Sequence, residues 1–179
     1  MTNLSFTSPP DVGAELPGDG GRTQYGALCW RRIGDRLQVL LITSRETGRW
    51  VIPKGWPIAG LSPEASATRE AYEEAGVEGQ ASARCVGFYT YDKGLGKPQA
   101  PRPTVPCIVA VYPLKVTALQ DRYPECRERR RKWFSPQKAA RKVAEPELQA
   151  LLDGLKVHLL VSASAPAPAD AAAGKGAQA

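Results

Sequence analysis

A short stretch of the chain places three glutamates and an arginine where they could bind a metal ion. Arg69, Glu70, Glu73 and Glu74 lie within SPEASATREAYEEAGV, which spans residues 62–77. On a helix the glutamates stand at positions i, i+3 and i+4, so their carboxylates crowd one face. Like charges at this spacing disfavour a helix by about 0.2–0.5 kcal/mol per pair, so we expect a positive group among them.

The ligand types indicate which ion that group would be. Carboxylate oxygens without histidine or thiolate suit a hard divalent cation, Mg²⁺ with Mn²⁺ as a possible substitute, and not zinc. The alternative is a solvated acidic helix face. The preceding run, residues 50–57, is strand-like and breaks into a Gly/Pro loop before the helix. Backbone and side-chain ligands can therefore converge at one strand-loop-helix corner, which favours the metal site.

The helix has its own start and stop signals. Ser62 is a good N-cap, and Pro63 in the next position loses no hydrogen bond because that N–H would be unpaired. Gly76 can end the helix in a left-handed conformation. A small residue recurs every fourth position and predicts a face that lies close against a sheet: Ala67, Ala71 and Ala75.

The segment from Gly55 to Val77 resembles the signature of the Nudix hydrolases. That signature begins with a glycine and then a glutamate. An Arg-Glu pair, a Glu-Glu pair and a glycine followed by an aliphatic residue come after them at fixed spacing. Leu61 stands where the signature has its first glutamate. The positions that match are Gly55, Arg69, Glu70, Ala71, Glu73, Glu74, Gly76 and Val77.

The resemblance implies a fold and a division of roles. The fold would be α/β, an α-β-α sandwich with a mixed β-sheet. Glu70, Glu73 and Glu74, with the carbonyl of Gly55, would hold Mg²⁺, and Arg69 would orient the carboxylates. The reaction would be attack of water on a phosphorus atom of a diphosphate or longer phosphate chain. Glu70 would be a ligand or the base that activates this water.

Leu61 is a departure with three possible consequences. The protein holds fewer metal ions, holds them more weakly, or recruits another acid. Glu64 is one such acid, although it would also complement the positive end of the helix. A catalytically impaired protein that only binds a phosphate ligand is a further alternative.

Four segments resemble more closely the diphosphoinositol polyphosphate phosphohydrolase branch, whose members also cleave dinucleoside polyphosphates. They are RTQYGALCWRR, LLITSRETGRWVIPKG, REAYEEAGVEG and RRKWF, between residues 22 and 143. Arg22, Ser44, Arg49 and Arg130 match positions near the polyphosphate in that branch. The chain departs from the branch at residues 54–57, where the branch has a glycine run, and in the loop 94–103.

The net charge of +6 also points to an anionic ligand. Because the signature helix is acidic, the basic residues must concentrate elsewhere, in residues 22–54, 93–102 and 127–132. Lys54 belongs to the first group and is a candidate for binding substrate phosphates. Trp56 could stack on a nucleobase, or Trp50 and Trp56 could simply cover the sheet edge.

Composition predicts one domain and a compartment. We expect a flexible lead over residues 1–20, a folded domain over 21–160 and a disordered Ala/Pro-rich tail over 161–179. No signal peptide or membrane span is visible, so we expect a soluble, cytoplasmic protein that does not bind membranes. His158 is the only histidine, so a general base must be a carboxylate or a metal-activated water.

Periodicity predicts the remaining elements. Strands are expected over residues 25–32 and 37–44, joined by a turn at Gly34 and Asp35, and then over 81–91, 105–113 and 130–134. Helices are expected over 137–143 and 147–155.

Taken together, the sequence predicts a Mg²⁺-dependent enzyme that hydrolyses a phosphoanhydride in a small anionic polyphosphate, of the dinucleoside polyphosphate or inositol pyrophosphate type. The alternatives are a nucleotide-sugar, NTP or RNA-end pyrophosphohydrolase and the impaired binding protein. A nucleic-acid partner is disfavoured, because aromatic and basic residues do not alternate as they do in a stacking platform. The oligomeric state is left open.

Overall fold

The computed structural model describes residues 22–94 and 104–163 of the 179-residue chain. The elements in chain order are β1 (Thr23–Ile33), β2 (Arg36–Thr43), β3 (Trp50–Val51), β4 (Lys54–Gly55), α1 (Pro63–Ala75), β5 (Val77–Ala81), β6 (Gly87–Gly94), β7 (Thr104–Leu119), β8 (Arg131–Phe134), α2 (Pro136–Ala140), α3 (Pro146–Asp153) and α4 (Leu155–Ala163). The predicted lead, the loop residues 95–103 with Lys97 and Arg102, and residues 164–179 of the predicted tail lie outside the described residues.

The described strands form one mixed sheet with the central order β3-β2-β1-β7-β5. β1 and β7 run parallel, whereas β1 with β2 and β7 with β5 and β6 run antiparallel. The short β4 pairs with β1, so Gly55 lies opposite Tyr25 at the sheet. β8 pairs with β2, so Arg131 and Lys132, at the end of the predicted basic run, lie opposite Ile42 and Leu41.

Helices cover both faces of the sheet, which confirms the predicted α-β-α sandwich. On one face α1 packs its fully buried alanines, Ala67, Ala71 and Ala75, against a core that includes Leu40 and Ile42. On the other face α2 and α3 pack against a core that includes Leu41 and Tyr89. The alternation along β2 places Leu40 on one face and Leu41 on the other, as period-2 geometry requires.

The predicted ends of α1 are confirmed. The Ser62 side chain accepts a hydrogen bond from the amide of Ala65 at 3.3 Å. Gly76 ends the helix with φ 64°, a left-handed conformation that glycine adopts without steric cost.

Two strand predictions are wrong in their bounds. The expected strand 81–91 is two strands, β5 and β6, separated by residues 82–86. The expected strand 105–113 continues to Leu119, although Pro113 has no N–H. The Pro113 carbonyl accepts from the Ser82 amide at 2.8 Å, at the junction where β7 changes its partner from β6 to β5. The missing N–H therefore falls where the ladder is already interrupted.

The C-terminal helices are also divided differently from the prediction. α2 ends at Ala140, and the expected helix 147–155 is α3 followed by a separate α4. Gly154 lies between the two and its amide donates to the Ala150 carbonyl at 2.9 Å. α4 continues three residues past Leu160, into the segment that we expected to be tail. Within residues 22–94 and 104–163, no helix combines the length and apolar character that crossing a membrane requires.

Candidate active site

A guanidinium lies beside one of the signature carboxylates. Arg129 lies in the loop between β7 and β8, and its Nη2 donates to Glu74 Oε1. Its Nε donates to Glu125 Oε2 at 2.5 Å, and its Nη1 donates to the Thr43 carbonyl at 3.2 Å. Only 7% of the Arg129 side chain and 9% of the Glu74 side chain are exposed, so this ion pair is buried.

Glu74 joins the signature helix to the glycine loop. Its second oxygen, Oε2, accepts from the backbone amide of Lys54 at 3.0 Å. Burial raises the pKa of Glu74, while the charges of Arg129 and Lys54 lower it. Because a carboxylate has about four lone-pair sites, Glu74 keeps acceptor capacity beyond these two bonds.

Glu70 packs directly against the glycine loop. A Cβ added at Gly55 would overlap the Glu70 carboxyl group, so the close approach requires glycine. Burial raises the pKa of Glu70 to about 7, with further contributions from the charges of Glu74, Glu73 and Glu125. The repulsion predicted for carboxylates at i, i+3 and i+4 therefore contributes to the raised pKa of Glu70.

This shift predicts how the metal-free protein responds to pH. A folded-state pKa of about 7 against an ordinary 4.5 means that the folded state binds the proton more tightly. The free energy of unfolding should therefore fall as pH rises between these two values. After allowance for solvent screening, we expect Glu70 to cost about 1–2 kcal/mol at pH 8 relative to pH 4.

Urea unfolding in EDTA at the two pH values measures this effect. Glu70→Gln cannot ionise, so the variant should be more stable than the wild type at the higher pH and lack this part of the pH dependence. Identical pH dependence in both proteins would show that Glu70 titrates normally.

Gly55→Ala should separate activity from stability. The methyl group would displace the Glu70 carboxyl, the mobile end of a side chain, so the fold should tolerate it. A displacement of about 1 Å at a reacting group can cost about a hundredfold in rate, and we expect a loss in kcat of that size. Steady-state kinetics and thermal unfolding check this, with Gly154→Ala as a control outside the site. Full activity in Gly55→Ala would contradict the close packing.

Arg69 and Glu73 form the exposed side of the signature. Arg69 Nε donates to Glu73 Oε1 at 2.6 Å, an i to i+4 ion pair on α1. The side chains are 57% and 35% exposed, so Glu73 keeps an open oxygen toward solvent. Arg69 therefore contacts one of the signature carboxylates.

Glu125 brings a carboxylate from outside the signature to the same place. Its amide donates to the Glu73 carbonyl at 3.0 Å, and its side chain also accepts from Arg45 at 3.3 Å. Leu61, in contrast, is 45% exposed and contributes no charge. Glu125 therefore adds a fourth acid beside Glu70, Glu73 and Glu74.

The side chains of Arg49 and Lys54 contact residues outside α1. Arg49 Nη1 donates to the buried Glu145 Oε1 at 2.5 Å. The Lys54 ammonium lies 5.0 Å from the Tyr91 ring centroid. Burial lowers the pKa of Lys54, and the nearby charges of Arg129 and Arg49 lower it further while Glu74 raises it. Arg49 and Lys54 thus share an electrostatic neighbourhood with the signature.

Arg22 joins this neighbourhood through the end of β7. Burial raises the pKa of Cys107, and the charges of Lys93, Arg22 and Lys54 lower it, so these three cations lie around one strand end. The Arg22 carbonyl accepts from the Ile108 amide at 3.2 Å. The structure therefore brings Arg22 toward Lys54 although 31 positions separate them in the chain.

The two tryptophans of the loop region have different environments. Trp50 packs against the core and meets Phe134 edge-on, with ring centroids 5.2 Å apart. Trp56 is 39% exposed, and the Lys93 ammonium lies 4.5 Å from its ring centroid. The idea that both rings cover the sheet edge therefore fits Trp50 and not Trp56.

Arg130 and Ser44 lie at the end of β2. The Arg130 guanidinium is over the Trp50 ring at 6.0 Å, and its amide donates to Thr43 Oγ1 at 2.9 Å. The Ser44 amide donates to the Arg49 carbonyl at 2.8 Å, and its hydroxyl is hydrogen-bonded to Thr47 at 2.7 Å. Three of the predicted substrate residues, Ser44, Arg49 and Arg130, thus lie around the loop between β2 and β3.

The donor set fits a hard divalent cation, although it is not a ready-made metal centre. In the part of the chain that the structure describes, no three acid, thiol or imidazole groups converge closely enough to hold an ion as they stand. The four acids offer only oxygen donors, and the repulsion that raises the pKa of Glu70 is what a cation would relieve. Glu70 and Glu73 are half-buried and keep free lone pairs.

Sequence reasoning missed three residues of this site. Arg129 was one of several arginines in a basic run, and Glu125 and Glu145 lie in segments without a motif. The only signal in the sequence for these residues is the position of Glu125 just before the basic run at residues 127–132. Their partners are 55, 80 or 96 positions away, so local spacing could not identify them.

Comparisons with known proteins agree with this geometry. The family model for the NUDIX domain matches residues 22–154. Diphosphoinositol polyphosphate phosphohydrolase 3-alpha of Homo sapiens is 30% identical over 123 residues, which cover 68% of this chain and 68% of that protein. The Mus musculus protein of the same name is 34% identical over 71 residues, 40% of this chain and 43% of that one. A C. elegans Ap4A hydrolase in a binary complex has a TM-score of 0.59 and 20% identity, over 78% of this chain and 98% of that one.

The signature helix, its glycine loop and the mixed sheet define a Nudix fold, and the chain belongs to the Nudix family. Within that family it is a pyrophosphohydrolase, similar to proteins named for their action on diphosphoinositol polyphosphates. The predicted family resemblance is thus confirmed. Nudix proteins generally use divalent metal ions.

Proposed function

We propose that this protein hydrolyses a phosphoanhydride bond in a small polyphosphorylated substrate, with Mg²⁺ as the metal. The substrate would be a dinucleoside polyphosphate or an inositol pyrophosphate. The observation that carries the proposal is the packing of the Glu70 carboxylate against Gly55. Glu73, Glu74 and Glu125 are close enough to act on its charge, and Lys54 and Arg49 share the neighbourhood of Glu74.

Glu70, Glu73 and Glu74, with the Gly55 carbonyl, would hold the metal ion. When bound, the ion would neutralise phosphate oxygens and lower the pKa of the attacking water. Glu125 is our candidate for the acid that compensates for Leu61, because it comes from another loop to the backbone of Glu73. Arg69 keeps Glu73 oriented through its Nε contact.

In the reaction the oxygen of water forms a bond to phosphorus and the bridging P–O bond breaks. Where Glu70 is the base and not a metal ligand, it would accept the proton of the water, and the leaving phosphate would take the electron pair of the broken bond. Charge on the phosphate oxygens would be neutralised by the cations near the loop. The residues that we assign to substrate binding are Arg22, Ser44, Arg49, Lys54, Trp56 and Arg130.

Two features support a long, highly charged substrate. Arg49 is tied to Glu145 but still 36% exposed, so it can also meet a phosphate. The exposed Trp56 ring, with Lys93 over it, could stack on a base and would favour a dinucleoside polyphosphate over an inositol pyrophosphate.

Phosphate release from a panel of compounds tests the proposal. We suggest diadenosine tetraphosphate, a diphosphoinositol polyphosphate, ADP-ribose, an oxidised dNTP and capped RNA, each with Mg²⁺ and with Mn²⁺. We expect turnover of diadenosine tetraphosphate or of the diphosphoinositol polyphosphate. Trp56→Ala should reduce the turnover of diadenosine tetraphosphate and leave that of the diphosphoinositol polyphosphate unchanged. Turnover of only ADP-ribose, the oxidised dNTP or capped RNA would show that the proposed substrate class is wrong. No turnover of any compound would contradict the proposed hydrolase function.

A further inference from the structure

A second concave site lies away from the signature helix. A cleft of about 930 Å³ opens beside the turn between β1 and β2, along β8 and beside the C-terminal helices. Trp50 and Phe134 are part of its lining, and their rings pack edge-on against each other. Small-molecule sites typically measure about 300–1,000 Å³, so this cleft has the size of one.

The charges that line the cleft are mostly positive. Asp35 is the one acid in its lining, and six cations are exposed around it. These cations are Arg36, Lys132, Lys138, Arg141, Lys142 and Lys156.

The six cations differ from five other arginines of the described residues, which are paired with carboxylates. Arg45, Arg49, Arg69, Arg129 and Arg131 each form an ion pair with a carboxylate. In residues 22–94 and 104–163, none of the six cleft cations does so. Unpaired like charges around a low-dielectric wall repel each other and focus a positive potential into the cleft.

The ligand that relieves this repulsion carries several negative charges within a small volume. Lysine and arginine both bind phosphate, arginine through its planar fork and lysine as a point charge. A nucleic acid fits less well, because the three aromatic rings of the lining are covered. Trp50 is half-buried, Phe134 is 9% exposed, and the Arg31 guanidinium lies 3.9 Å from the ring centroid of the half-buried Trp133.

We propose that the cleft is a second binding site, independent of metal, for a small molecule with several phosphate groups. None of the residues that we assign to metal or substrate binding lines the cleft. Trp50, which does line it, follows Arg49 in the chain and lies 6.0 Å from the guanidinium of Arg130. The proposal does not rest on the proposed function, because it concerns binding and not hydrolysis.

The test measures binding of inorganic tripolyphosphate to the full chain in EDTA, by calorimetry and by the indole N–H signals of the four tryptophans in an NMR spectrum. The cleft variant is Lys138→Glu with Arg141→Glu. The matched control is Arg84→Glu with Arg122→Glu, two exposed arginines outside the cleft, which gives the same change in net charge.

We expect tripolyphosphate to shift the Trp50 signal in the wild type and in the control. The cleft variant should lose about tenfold or more in affinity and lose the shift, while it keeps its rate of hydrolysis within about threefold. Lys142→Glu with Lys156→Glu should repeat the loss if the first variant does not fold.

Three results would overturn the proposal. An equal loss of affinity in the cleft variant and the control would show that binding depends on the net charge of the protein and not on the cleft. A shift of Trp56 without Trp50 would place the anion at the glycine loop. Tighter binding of a ten-nucleotide RNA than of tripolyphosphate, lost in the cleft variant, would identify a nucleic-acid surface instead. In each case the panel of substrates still tests hydrolysis separately.

Discussion

Replacement of Glu73 by glutamine is expected to lower kcat by about a thousandfold or more, because loss of a metal ligand removes several kcal/mol of transition-state stabilisation. Glu73 is 35% exposed and its partner Arg69 is 57% exposed, so their ion pair contributes little to the fold. Steady-state kinetics with saturating Mg²⁺, together with thermal unfolding, separate the two effects. The unfolding temperature should be nearly unchanged.

Glu147→Gln is the control for this substitution, since Glu147 is an exposed acid in the first turn of α3 and far from the signature in the chain. It should leave kcat unchanged. A Glu73→Gln enzyme with near wild-type kcat would remove Glu73 from the metal site. A large loss of stability in Glu73→Gln would instead indicate a structural role for this side chain.

Removal of Arg129 should have the largest effect on stability. Arg129→Ala leaves Glu74 buried without its guanidinium partner, and breaking a buried ion pair typically costs about 3–5 kcal/mol. For a chain of this size that corresponds to a fall in unfolding temperature of about 6–20 °C. Thermal and urea unfolding measure the loss. Activity should fall as well, because Glu74 accepts from Lys54 and ties α1 to the glycine loop.

Arg122→Ala is the matched control, since Arg122 is an exposed arginine of the same loop and should change stability by less than about 0.5 kcal/mol. A second test is the double variant Arg129→Ala with Glu74→Gln. Its cost should be smaller than the sum of the two single costs, because the neutral amide no longer needs the guanidinium. Additive costs would mean that the two side chains act on stability independently.

The helix that carries the site was predictable because its determinants are local. Ser62, Pro63 and Gly76 fix the ends of α1 within a few residues, and the alanines at every fourth position fix the face that is buried. The spacing of the glutamates and Arg69 follows from the same helix. The turn at Gly34 and Asp35 was predictable for a similar reason, since two residues close a hairpin by themselves.

Strand bounds were less predictable because pairing partners decide them. β7 continues through Pro113 because its partner changes there from β6 to β5, a fact that no local pattern contains. The same holds for the C-terminal helices, where Gly154 divides a run whose periodicity suggests one element.

The sequence by itself determined the family, the acidic helix and its arginine, because a signature of fixed spacing is written in one continuous segment. It also predicted that three crowded carboxylates need a positive partner. Only the tertiary structure decided that Arg129 pairs with Glu74, that Glu125 lies beside Glu73, and that Arg49 is held by Glu145. The reason is that these contacts join residues far apart in the chain, and burial decides which of several similar charges is paired.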